Sequence, residues 1–127
     1  VDAHIERRRT IHRMYAELLH GVPGITVVEP TAPTPMQPNF WLTCILVDPA
    51  VTGYTRDELA AKLFAADIES RPLWKPMHLQ PVFAQAPNYT NGVSEQVFEC
   101  GLCIPSGPMV SDEDVQYIVN QIKELRE

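Results

Sequence analysis

His78 stands in the most chemically suggestive stretch of this 127-residue chain. Arg71, Trp74, Lys75 and Gln80 lie around it. Together they supply two cations, a ring that titrates near neutral pH, an amide and a broad aromatic face. Such a set suits an anionic, hydroxylated ligand such as a phosphate or a sugar. The competing reading is a structural loop whose polar groups satisfy its own backbone. A second candidate is Cys100-Gly101-Leu102-Cys103, which with Cys44 and His78 could supply four zinc ligands. No second C-x-x-C follows it, and Cys103 in a strand would turn inward as a small hydrophobe. No metal site is therefore expected. His4, His12 and His20 fall in one helical stretch, where His4 and His12 lie two turns apart and cannot form an i,i+4 ligand pair. A solvated helix face is expected for all three. A Schiff-base lysine needs a desolvated pocket. Lys62 and Lys123 fall on mixed helix faces, and nothing near Lys75 builds a cofactor cradle. There is no glycine-rich phosphate loop and no Gly-x-Ser-x-Gly elbow.

The elements that must carry these residues can be read from periodicity. Residues 1–20 predict an amphipathic helix through Ile11, Met14, Tyr15, Leu18 and Leu19, with Gly21 as its stop. Ile25–Val28 predicts a short strand, and Glu29–Pro38, with four prolines, a loop. Phe40–Val47 is the strongest strand signal, apolar enough for both faces to be covered, and Asp48-Pro49 closes it. Thr55-Arg56-Asp57-Glu58 is a capping box opening a helix that buries Leu59, Leu63 and Phe64. Ile68–Arg71 predicts a strand. Four prolines make 72–92 irregular, and a loop of that length inside a domain is more often functional than idle. Ser94 predicts a helix cap, Leu102–Pro105 a strand, and Ser111-Asp112-Glu113-Asp114 the start of a helix through Val115, Ile118, Val119, Ile122 and Leu125. The sum is an α+β fold, with helices packed on a small mixed or antiparallel sheet.

Composition narrows the class. A 45% hydrophobic chain of this length supports one core in one domain. The net charge of -6 leaves Arg7-Arg8-Arg9 as the sole cationic run, which argues against nucleic acid. The longest apolar stretch is far too short to span a membrane. Three cysteines form no disulfide framework and suit a reducing, cytoplasmic compartment. The opening Val1-Asp2-Ala3-His4-Ile5 lies already within a helical pattern, as expected of a piece of a longer protein.

One run is distinctive: Ile68-Glu69-Ser70-Arg71-Pro72-Leu73-Trp74-Lys75-Pro76-Met77-His78-Leu79-Gln80-Pro81. Gly92-Val93-Ser94-Glu95, then Gly101-Leu102-Cys103-Ile104-Pro105-Ser106-Gly107, follow it, and Ile5-Glu6-Arg7-Arg8-Arg9 precedes it. With the closing Ser111 helix, these segments resemble the C-terminal lobe of the DegT/DnrJ/EryC1/StrS aminotransferases over essentially the whole chain. The resemblance implies the small lobe of a fold type I enzyme, with residues 1–127 as a C-terminal domain and the large pyridoxal phosphate-binding domain absent. It implies a transaminase that aminates a nucleotide-linked keto sugar for surface-glycan biosynthesis, usually as a homodimer. The stretch from Trp74 to Pro81 looks most like the subgroup acting on UDP-linked 4-keto-6-deoxy hexosamines, with glutamate as amino donor. His78 matches the histidine facing the sugar nucleotide, flanked by Arg71, Trp74, Lys75 and Gln80. The lysine that binds pyridoxal 5'-phosphate has no counterpart here, so no catalytic residue and no bound cofactor are expected in this piece. The alternative is a non-enzymatic α+β ligand-binding or regulatory module.

Overall fold

The computed structural model describes residues 1–30 and 37–125. The helices are α1 (Asp2–Leu18), α2 (Pro49–Thr52), α3 (Arg56–Ala65), α4 (Val93–Cys100) and α5 (Asp112–Glu124). The strands are β1 (Ile25–Val27), β2 (Thr43–Val47), β3 (Arg71–Pro72) and β4 (Gly101–Ile104). They form one sheet in the order β1-β2-β4-β3, every neighbouring pair antiparallel. This is the expected α+β architecture, with the sheet antiparallel rather than mixed among the described strands.

Side-chain periodicity explains the core. Ile11 and Tyr15 share one face of α1, continued by Leu19 at its C-cap, Leu59 and Leu63 one face of α3, and Val115, Ile118, Val119 and Ile122 one face of α5. They bury Ile45, Val47, Leu102 and Ile104 of the two central strands. The Tyr15 hydroxyl, inside this apolar layer, donates to the Pro105 carbonyl at 2.8 Å. Both α3 and α5 begin with reciprocal capping boxes, Thr55 with Glu58 and Ser111 with Asp114. Each such cap contributes about 0.5–2 kcal/mol.

Several expectations are corrected. β2 begins at Thr43, not Phe40, because Phe40 turns left-handed at φ 46° and leaves the extended path. Its residues alternate: Thr43, Ile45 and Val47 are buried, while Cys44 and Leu46 on the other face are half-buried. Asp48-Pro49 does more than close the strand, since Asp48 caps the short α2 and Pro49 occupies its first turn. Phe64 is exposed, because the buried stripe of α3 runs through Leu59 and Leu63 alone. The strand expected at Ile68–Arg71 falls at Arg71–Pro72, after Asp67 bends the chain at φ 60°. Ser94 lies inside α4, whose N-cap is Gly92 at φ 84°. The Asn91 side chain accepts from the Val93 N–H there. Residues 31–36 of the expected proline-rich loop fall outside the described residues.

The arginine run is structural. Successive helix positions point about 100° apart, so the three side chains fan out. Arg7 reaches Asp112 at 2.7 Å and the Val110 carbonyl, Arg8 the Trp41 carbonyl at 2.7 Å, and Arg9 the Pro38 carbonyl at 3.4 Å. One run thereby ties α1 to the start of α5 and to the segment leading into β2.

Candidate functional site

Three of the five residues expected to form one site divide between two hollows, Arg71 and Trp74 in one and His78 in the other. The larger, of about 900 Å³, lies where β2 begins and β4 finishes. Arg8, Trp41, Glu69, Arg71, Trp74 and Cys103 are among its walls. The two indoles face each other at 6.1 Å with a 42° tilt. Trp41 is 60% and Trp74 69% exposed, so both present ring surface to the opening rather than to the core. Arg71 is held by Glu69 through Nε at 2.9 Å and Nη2 at 2.5 Å. The cleft thus offers flat aromatic surface with guanidinium groups beside it, which suits a planar or sugar-ring ligand carrying negative charge.

The smaller hollow, about 320 Å³, is bounded by His78, Met77, Phe83, Pro87, Asn88 and Tyr89. His78 sits in a one-turn 3₁₀ segment, Met77–Leu79, that Pro76 introduces. Its Nε2 lies 2.6 Å from Glu95 Oε1, a contact between the loop and the first turn of α4. The Glu95 backbone N–H, the His78 ring and the Ser94 hydroxyl hold the Glu95 carboxyl below the usual carboxylate range. A carboxylate on one ring nitrogen fixes the ring's orientation.

Lys75 and Gln80 line neither hollow. Lys75 is exposed, and the Gln80 amide donates to the Lys75 carbonyl at 3.0 Å and approaches the Met77 sulfur at 3.5 Å. Gln80 in this state holds the loop's own shape.

Sequence reasoning missed Trp41, Arg8 and Glu95. By sequence, Trp41 falls in the expected strand, Arg8 in the cationic run, and Glu95 has no expected role. Their partners are distant in sequence, and no local periodicity reports such pairings. It also misplaced His12, which is 2% exposed rather than solvated. The Phe40 ring stacks on it at 3.8 Å, and Thr43 Oγ1 lies 3.4 Å from its Nδ1. Burial lowers its pKa, opposed by Glu29 at 3.5 Å from Nε2. The cysteines also pair differently from the C-x-x-C spacing. Cys103 meets Cys44, Sγ to Sγ 3.5 Å, and His78 meets Glu95.

Comparison with known proteins places this geometry. The sequence model of the DegT/DnrJ/EryC1/StrS aminotransferase family matches residues 1–123. EpsN of Bacillus subtilis (strain 168), whose name proposes a pyridoxal phosphate-dependent aminotransferase, is 32% identical over 129 residues. That match takes in 98% of this chain and 32% of EpsN. GDP-perosamine synthase of Vibrio cholerae is 32% identical over 124 residues, 97% of this chain and 33% of its own. The crystal structure of DesV from S. venezuelae, in complex with a ketimine intermediate, shares the fold. Its TM-score is 0.83 over 99% of this chain and 33% of DesV, at 24% identity. The chain therefore spans about a third of the length of the curated relatives it matches. No helix among the described residues is long and apolar enough to cross a membrane. With residues 1–123 of the chain matched by the family model, and with that family's fold, this chain belongs to the DegT/DnrJ/EryC1/StrS aminotransferases.

Proposed function

We propose that residues 1–127 are the C-terminal small domain of a pyridoxal phosphate-dependent transaminase acting on a nucleotide-linked keto sugar. The family match over residues 1–123 carries this reading. The substrate class draws support from a relative named GDP-perosamine synthase. Within that class, the Trp74–Pro81 stretch favours a UDP-linked 4-keto-6-deoxy hexosamine, with glutamate as donor. The setting is cytoplasmic surface-glycan biosynthesis, and the whole enzyme works as a homodimer. No observation favours the regulatory-module reading over this one.

The chain's own residues do not fit covalent attachment of the cofactor. Lys62 approaches Glu124 at 4.0 Å, Lys75 is exposed, and Lys123 lies on α5; none lines either hollow. What the lobe contributes is substrate handling. His78, oriented by Glu95, contacts the sugar nucleotide, and Arg71 and Trp74 supply charge and a flat face in the larger cleft. Lys75 and Gln80 support the loop from its outer side. Proline-stiffened backbone lowers the ordering cost of such a grip.

The test uses the full-length enzyme with UDP-, GDP- and TDP-linked keto sugars side by side. Amination of the UDP-linked 4-keto sugar with glutamate is expected. His78→Ala should slow the half-reaction with the sugar nucleotide more than the half-reaction with glutamate, resolved by stopped flow. Losing a hydrogen bond to a neutral sugar group costs about 0.5–1.5 kcal/mol, and one to a charged diphosphate about 1.5–3. The second case is a roughly tenfold to hundredfold loss in kcat/KM. Equal damage to both half-reactions would assign His78 to the fold or the cofactor instead.

A further inference from the structure

Cys44 and Cys103 take no part in the sugar-nucleotide reading. They face each other directly in the antiparallel β2–β4 pair. The Cys44 carbonyl accepts from the Val28 N–H at 2.9 Å, on the β1 side. In an antiparallel strand both backbone polar groups of a residue point to the same side, so Cys44 directs neither toward β4. Its neighbour Thr43 does the opposite, donating its N–H to Ser106 Oγ at 3.2 Å just beyond β4. Cys44 and Cys103 are therefore a non-hydrogen-bonded pair, the type whose Cα atoms lie about 4.5 Å apart with side chains closest. A disulfide spans Cα separations of about 4.4–6.8 Å. The sulfurs are already 3.5 Å apart, so side-chain rotation suffices to reach the bonded distance of about 2.05 Å.

Reactivity is unequal. Cys103 borders the larger cleft, where it is 7% exposed, and Cys44 on the facing strand is half-buried. The hydrogen bond between the two sulfurs lowers the pKa of the Cys103 thiol and raises that of Cys44, which favours the thiolate on Cys103. Cys100, in the last turn of α4, stands outside the pair.

We propose that Cys44 and Cys103 are a site of reversible oxidative modification, closing a cross-strand disulfide when a low-molecular-weight disulfide enters the cleft. The Cys103 thiolate attacks one sulfur of oxidised glutathione, breaks its S–S bond and expels one glutathione thiolate. Cys44 then gives up its proton and attacks the Cys103 sulfur of the mixed disulfide. The Cys44–Cys103 bond forms as the second glutathione leaves. Two protein thiols are oxidised, one glutathione disulfide is reduced, and the two protein protons end on the two released thiols.

The test equilibrates the reduced chain in glutathione buffers of rising oxidised fraction, quenches with acid, alkylates the free thiols and measures the intact mass. Expected is the loss of two alkylatable thiols out of three, with the mass of two hydrogens missing and a proteolytic fragment joining Cys44 to Cys103. Cys100→Ser should retain the linkage, and dithiothreitol should reverse it. Cys44→Ser should instead accumulate a glutathione adduct on Cys103, and Cys103→Ser should leave Cys44 free. Circular dichroism confirms that each variant is folded; a variant that unfolds is replaced by its Cys→Ala counterpart. Three alkylatable thiols in the most oxidised buffer, a bond through Cys100, or a glutathione adduct that never closes in the unsubstituted chain would each overturn the proposal.

Discussion

The helix-covered face of the sheet and the rim formed by residues 69–100 with Trp41 are built by opposite means. On the helix side, apolar residues at regular spacing interlock, and two capping boxes fix where α3 and α5 begin. On the rim, prolines replace the ladder, and large apolar side chains including Trp41, Trp74, Met77 and Tyr89 stay exposed. The helix side derives its stability from burial. The rim derives its shape from a few polar contacts, such as His78 with Glu95 and Gln80 with the Lys75 carbonyl. Exposed aromatic area on an otherwise well-packed domain signals contact with something else. On the function proposed above, that something is the substrate and the remainder of the enzyme.

Paired substitutions test the division. Leu102→Ala empties the centre of the core, where the side chain is fully buried, and should cost about 2–5 kcal/mol in urea unfolding. A cost near that of an exposed residue would mean the core is not where the stability lies. Gly101→Ala probes the seam between the two regions. A Cβ there would sit 2.5 Å from the Val97 carbonyl oxygen and press on the Leu73 side chain. The carbonyl belongs to α4 and cannot easily retreat, so about 1–3 kcal/mol should be lost. Wild-type stability in this variant would show that α4 shifts freely against β4.

His12 gives a pH-dependent test of the helix side. Its folded pKa lies below the ordinary 6.5, chiefly through burial. The folded chain then binds fewer protons than the unfolded chain, so the stability it contributes is complete above 6.5. That stability is lost as pH falls below this value toward the folded pKa. Melting temperatures measured from about pH 7.5 down to 5.5 should fall, and His12→Phe, which keeps a ring against Phe40, should flatten the slope. An unchanged slope would assign the acid sensitivity to another group. The smallest effect is expected on the rim: Trp74→Ala should change stability by less than about 0.5 kcal/mol. A large loss would make Trp74 part of the fold rather than of the cleft.

What could be read from sequence follows the same division. The Thr55 and Ser111 caps are local signals, complete within four residues, and both helices begin where those signals lie. The buried stripe of α5 repeats every three to four residues and is equally legible. His12 was misread because its burial is decided by Phe40, whose left-handed turn no propensity announces. The rim was legible only as an unusual composition. Its contacting pairs, His78 with Glu95 and Trp41 with Trp74, join residues whose spacing obeys no period. The pairing of Cys103 with Cys44, 59 residues away, was hidden by the nearer Cys100.

Pro72 has a consequence for how the chain behaves in concentrated solution. β3 is the outermost strand of the sheet, and Leu73 donates its N–H inward to the Gly101 carbonyl at 3.4 Å. By alternation, position 72 faces outward, where proline has no N–H to offer. The strand is only two residues long and begins with a charged arginine. An edge that is short, charged and lacks a donor gives a second molecule nothing to extend. The sheet is thus guarded on this side against the strand-by-strand growth that turns exposed edges into fibres.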